Sequence, residues 1–235
     1  MKKFHNLIIV DESGSMSTIE KQAVSGMLET LNSIKDSQKR IPDVMQTVTL
    51  ITFNSEHLST IYNCSVAESI NVESISYMPS GCTPLYDAIG TGISRLKEIA
   101  QKEDSVLVTI ITDGYENASN RYSLSDIKRM IEQQKELGWT VALIGTSNLD
   151  VESMAKDMAI DNHLSFYQNA QTTKRMFREM SAAREARVCL AAENIEAPCC
   201  EPLFDVAEMY IDDVDQSVSS AAERVARVKK ALGKV

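Results

Sequence analysis

The run VLVTIITDG, residues 106–114, constrains the fold more than any other stretch of the chain. Six residues, five of them aliphatic, carry no alternation of apolar and polar side chains. A strand that shows no wet face must be covered on both sides, which is the habit of central strands in parallel sheets. Its abrupt end in Thr112-Asp113-Gly114 then places an acid at the carboxyl end of a buried strand.

The same pattern opens the chain. Phe4 to Val10 reads as a strand and runs into Asp11-Glu12-Ser13-Gly14-Ser15. Ser17 and Glu20 have capping-box spacing, and the following helix carries Ala23, Val24, Met27, Leu28, Leu31 and Ile34 at helical intervals. Thr47 to Phe53 is a β-branched strand with Leu58 to Tyr62 as its neighbour. Thr83-Pro84 reads as an N-cap with proline in the first helical position, ahead of Leu85, Ala88, Ile89, Ile93 and Leu96. Ser123 to Leu137 is a helix, Trp139 to Ile144 a strand, Asp150 to Met158 a short helix, His163 to Tyr167 a short strand, and Thr172 to about Cys189 a helix. Alternating strands and helices imply an α/β fold: a mostly parallel sheet with helices on both faces.

A composition shift at "NIEAPCCEP", residues 194–202, separates a C-terminal extension from the main domain. We assign residues 1–185 to the domain and 186–235 to the extension. Within it, Ile211, Val214, Val218, Ala221, Val225, Val228 and Leu232 follow a 3-4 spacing that marks an amphipathic helix over about 213–232. That helix packs on its own domain or forms a homodimer seam or partner-docking element.

The net charge of -9 disfavours sequence-independent binding to nucleic acid. No apolar run approaches the roughly 20 residues that span a bilayer, and the run Leu7 to Val10 is too short for a signal sequence. The cysteines, Cys64, Cys82, Cys189, Cys199 and Cys200, are odd in number and lack paired ligand spacing. These features suit a reducing, cytoplasmic setting.

Ligands of doubly wound sheets bind beyond the carboxyl ends of the strands. Asp11, Ser13, Ser15, Thr83 and Asp113 all fall at such ends or at the start of a helix, and all offer hard oxygen atoms. Three hydroxyls with two carboxylates suit Mg²⁺, with Mn²⁺ or Ca²⁺ as alternatives. Gly14 is expected to let the backbone turn so that both serines face one point. Neighbouring loops offer Glu56, Tyr86, Tyr115, Glu116, Asn117, Ser147 and Asn148 as candidate partner contacts.

D-x-S-G-S after a strand, G-x-T opening a helix and T-D-G after a central strand are together the three parts of a metal-ion-dependent adhesion site. Over roughly residues 1–185 the chain resembles the von Willebrand factor type A family. "TPLYDAI" is similar to its intracellular bacterial members, including those linked to tellurium resistance. The resemblance implies a Rossmann-like three-layer α/β/α fold with one short antiparallel edge strand. It also implies metal-dependent, non-enzymatic binding of a protein whose Asp or Glu carboxylate completes the metal shell. The alternative enzyme is a Mg²⁺-dependent phosphohydrolase of the haloacid dehalogenase type. That chemistry calls for a second aspartate two residues after the first, where this chain has Ser13. His5, His57 and His163 are expected to be structural or solvated, with none poised as a general base.

Overall fold

A computed structural model describes residues 2–73, 75–193 and Leu203. Strands β1 (Lys2–Asp11), β2 (Val44–Phe53), β3 (Leu58–Val66), β4 (Ser105–Thr112), β5 (Thr140–Thr146) and β6 (Asn162–Phe166) form one sheet in the order β3-β2-β1-β4-β5-β6. Every neighbouring pair is parallel except β2 with β3. The antiparallel edge is therefore present. It is longer than Leu58 to Tyr62 and bulged near Thr49, where Cys64 takes a left-handed φ of 47°.

Helices α1 (Glu20–Arg40), α2 (Leu85–Lys97), α3 (Leu124–Glu136), α4 (Val151–Asp157) and α5 (Ala170–Ala192) cover both faces. Strand periodicity sorts the core. Leu7, Ile9, Val108, Ile110, Val141 and Leu143 share one cluster with residues of α2, α3 and α4. Ile8, Val10, Val48, Leu50, Ile111 and Ile144 share the other with residues of α1 and α5. Both faces of β4 are buried, which is why its sequence shows no alternation.

Two expected caps form differently. Residues 14–19 make a 3-10 turn, and α1 starts at Glu20 with no side-chain cap, so Ser17 and Glu20 form no capping box. At α2 the cap position is Pro84, and Thr83 lies outside the helix. The Thr83 backbone is instead held by Asn117, whose Oδ1 accepts from Thr83 N at 2.8 Å and whose N–H donates to Thr83 O at 3.1 Å. The capping box that does form is at α3, between Ser123 and Asp126. Helix α5 runs without a break through residue 185 to Ala192. The expected helix at 213–232, with Cys199 and Cys200, lies outside the described residues.

Candidate metal centre

The chain reverses direction across the sheet between β1 and β4. From β1 it builds outward through β2 and β3, and then from β4 through β5 and β6. That switch point is where such sheets open a crevice, and it brings Asp11, at the end of β1, beside Asp113, just past β4.

The Ser13 N–H donates to Asp11 Oδ1 at 2.7 Å, closing a turn that aims the next residues back over the strand end. Thr112 Oγ1 donates to Asp11 Oδ2 at 2.6 Å, so the carboxyl is gripped from both sides. Ser13 Oγ lies 3.2 Å from Ser15 Oγ, and Ser15 Oγ donates to Asp113 Oδ1 at 2.6 Å. Thr83 reaches the same spot: a Cβ added to Gly114 would sit 2.9 Å from Thr83 Oγ1. Five residues from three distant segments thus converge. Ser15 is exposed, while Asp11, Ser13, Thr83 and Asp113 are buried.

The electrostatics are one-sided. Burial, with a smaller push from Asp113, raises the Asp11 carboxyl to about 6. Burial also raises Asp113, against hydrogen bonds from Ser15 and Gln168. Neither acid has an ion-pair partner among the described residues. Two buried carboxyls with hydroxyls and no cation fit a hard divalent ion. Among the described residues no group of three or more His, Cys, Asp or Glu side chains could hold a metal, so hydroxyls would have to supply the ligand set here.

Supporting residues emerge that the sequence did not flag. Gln168, at the β6–α5 corner, donates from Nε2 to Asp113 Oδ2 at 2.7 Å. The Tyr77 hydroxyl donates to the main-chain oxygen of Asp11 at 2.5 Å. Glu12 is buried and fastens the rim: its carboxylate accepts from the Met78 N–H and meets His57 Nε2 at 3.1 Å. Gly14 does not take a left-handed φ, and a Cβ there would meet only ordinary contacts from 3.5 Å outward. The turn that requires glycine is at Gly81, with φ of +66° and a would-be Cβ 2.4 Å from Ser55 Oγ. Gly81 O in turn accepts from Gly14 N at 3.1 Å, which ties the Thr83 loop to the serine loop.

The candidate partner residues divide. Glu116 is committed to its own loop, accepting from Ala118 N, Ser119 N, Ser119 Oγ and Tyr86 N. Asn117 braces Thr83. Glu56 is exposed, as are Ser147 and Asn148, and Tyr86 is half-buried. Tyr115 is 52% exposed, and Met78 and Tyr167 are exposed as well. His5 is buried between Thr47 and Asp104, and His163 is exposed.

Solved structures share this fold at low sequence identity. The PilB minor pilin from Streptococcus sanguinis superposes with a TM-score of 0.56 at 13% identity, covering 78% of this chain and 61% of the pilin. The pilus adhesin SpaC from Lactobacillus rhamnosus GG in its open conformation gives 0.62 at 13% identity, covering 80% of this chain and 30% of the adhesin. The vWF domain of the type V pili tip protein Mfa5 from Porphyromonas gingivalis gives 0.52 at 8% identity, covering 76% of this chain and 95% of that domain. The chain therefore spans less than two thirds of each of the first two proteins. No curated protein sequence matches it. The sequence profile of the von Willebrand factor type A domain matches residues 7–182, three quarters of the chain, including all five converging residues. The chain belongs to the von Willebrand factor type A domain family, whose members are typically protein-interaction or adhesion modules.

Proposed function

We propose that the converging residues form a complete metal-ion-dependent adhesion site, and that the protein uses it to capture an acidic residue of another protein. The hydroxyls of Ser13, Ser15 and Thr83 would hold a Mg²⁺-type ion, with Mn²⁺ or Ca²⁺ as alternatives. Asp11 and Asp113 would balance its charge. A divalent ion supplies an open coordination position to which a partner Asp or Glu carboxylate can bind. No bond is made or broken in this reading.

The observation that carries it is the Ser13–Ser15–Asp113 chain of contacts, at 3.2 and 2.6 Å, next to a buried Asp11 with no basic partner among the described residues. Left to themselves, two desolvated carboxyls repel, and both resist ionising. Thr112, Ser13, Ser15 and Gln168 hold them in place regardless. The fold thus spends stability on an arrangement that, once the acids are ionised, a bound cation would relieve. A cytoplasmic setting belongs to the same reading and is supported by the cysteine count. A homodimer through the C-terminal helix is supported only by its heptad spacing.

Isothermal titration of metal-stripped protein with Mg²⁺ and Mn²⁺ tests the site. One-site binding is expected for the wild type and none for Ser13→Ala/Ser15→Ala. Equal binding by both proteins would overturn the assignment. A wild type that stays inert to metal even with a carboxylate-bearing peptide present would overturn metal-dependent capture.

A further inference from the structure

A cavity of about 340 Å³ opens at the same pole of the sheet, between the start of α2, the loop after β4 and helix α4. The metal reading makes no use of it. Its walls are continuous with the metal centre. Leu85 and Tyr86 follow Thr83 by two and three residues, and Tyr115 follows Asp113 by two. The hydrogen bonds Thr83 N to Asn117 Oδ1 at 2.8 Å and Tyr86 N to Glu116 Oε2 at 2.9 Å join cavity and site.

The lining has two characters. Leu85, Leu124 and Met154 are apolar, and the rings of Tyr86 and Tyr115 stand beside them. Asp150 and Asp157 supply negative charge from α4, and among the described residues no lysine or arginine lines the space. Asp157 has no ion-pair partner among the described residues. Asp150 caps α4, and the Ser153 N–H that it accepts holds its carboxyl below the usual range. Burial raises the Tyr86 hydroxyl, and the charges of Glu116 and Asp157 add to the rise.

An anionic side chain would be repelled here. A purely apolar one would cover acids without pairing them. An aliphatic stem with a cationic head satisfies both parts of the lining, with two aromatic rings within reach of the charge. We propose that this cavity receives a lysine or arginine side chain of the same partner whose carboxylate is captured at the Ser13–Ser15–Asp113 site. The face would then read one acidic and one basic residue at a fixed spacing. This rests on the metal-dependent reading above.

The test is selection of a random peptide library displayed on phage against the full chain. It is run in Mg²⁺, in EDTA, and on an Asp150→Asn/Asp157→Asn variant in Mg²⁺. Asparagine keeps the α4 cap. The expected result is Mg²⁺-dependent enrichment of Asp or Glu, with Lys or Arg enriched about fivefold or more at one spacing from it. The variant should lose the basic preference and keep the acidic one. Apolar residues at that spacing, no residue preference there, or a basic preference undiminished in the variant would overturn the cavity assignment while leaving the metal reading intact. Basic enrichment that survives EDTA and disappears in the variant, without acidic enrichment, would overturn the metal reading and the pairing while sustaining the basic subsite.

Discussion

Strand β4 has an aspartate at each end, and the two live in opposite electrostatic worlds. Asp104, just before it, has a side chain only 4% exposed. Burial pushes its carboxyl up, but the N–H of Gln101, the His5 ring and the N–H of Lys3 outweigh burial, and it lies below the usual value. Asp113, just after it, is the more deeply buried residue, accepts from Ser15 and Gln168, and lies above the usual value. The same residue type at the two ends of one strand is satisfied at one pole and left wanting at the other. A fold closes its structural acids with its own donors. An acid held rigidly but under-satisfied points to a group supplied from outside.

Substituting each aspartate by asparagine should separate the poles most sharply. Asp113→Asn should weaken Mg²⁺ binding by ~100-fold or more and leave metal-free stability unchanged or slightly higher, since a desolvated charge is gone. Asp104→Asn should cost about 2 kcal/mol in urea unfolding, because an amide turns donors toward donors, and should change Mg²⁺ affinity by less than about twofold. Equal stability losses from the two variants would break the comparison.

The pH dependence runs in opposite directions at the two poles. Asp11 rises from 3.8 to about 6 on folding. Its contribution to metal-free stability is therefore full below pH 3.8 and is lost as pH rises through about 6. At ~1.4 kcal/mol per pH unit, that loss is on the order of 3 kcal/mol, and Asp11→Asn should abolish it. Saturating Mg²⁺ should cancel it as well, by favouring the ionised form. Asp104, shifted downward, contributes above the ordinary carboxyl range and loses that contribution as pH falls through it. Unfolding free energies from pH 4 to 7, with and without EDTA, decide the matter. A wild type and an Asp11→Asn variant with parallel curves in EDTA would sink this prediction.

The unequal legibility of the molecule has a physical basis. The architecture could be read because strand burial leaves a trace in the sequence: β4 is buried on both faces and runs almost wholly aliphatic, and β1 and β2 are buried nearly throughout. The five converging residues were visible because they sit immediately beside such strands or at a helix start. Gln168 left no trace, being one polar residue in a corner, 55 positions from the acid it touches. The role of Glu12 left no trace either, because only the fold brings His57 and Met78 onto its carboxylate. The caps at α1 and α2 were misplaced for a related reason. Local propensity wants Ser17 and Thr83 as caps, whereas a 3-10 turn takes up the first and the Asn117 brace withdraws the second from its helix.

The two glycines of the rim sharpen the contrast between a fixed pole and a merely crowded one. Gly81→Ala must adopt a left-handed φ and displace Ser55 Oγ, which accepts from the Cys82 N–H next to Thr83. We expect a cost of about 1–2 kcal/mol and roughly tenfold weaker Mg²⁺ binding. Gly14→Ala meets neither obstacle, and its stability should stay within about 0.5 kcal/mol of wild type. Thermal unfolding and metal titration of both variants provide the measurement. A benign Gly81→Ala would mean that the Thr83 loop is not fixed by this turn.

A small effect is expected from Gln168→Leu, and it tests how the pole that carries Asp113 is built. Of the described side chains, Gln168 is the one outside the proposed ligand set that donates to Asp113. It also stands directly before Asn169, the cap of α5, so it couples that helix to the acid. Leucine removes one hydrogen bond at a half-buried position, which should cost about 0.5–1 kcal/mol. With Ser15 still in place, Mg²⁺ affinity should shift by no more than about threefold. At the opposite pole, three separate donors hold Asp104, and the loss of one would be shared by the others. If Gln168→Leu instead lowered Mg²⁺ affinity as much as Asp113→Asn does, the β6–α5 corner would be the element that positions Asp113. The site would then depend on where α5 lies, and its affinity should change with any substitution that loosens the packing of Phe177 against Gly26 in α1.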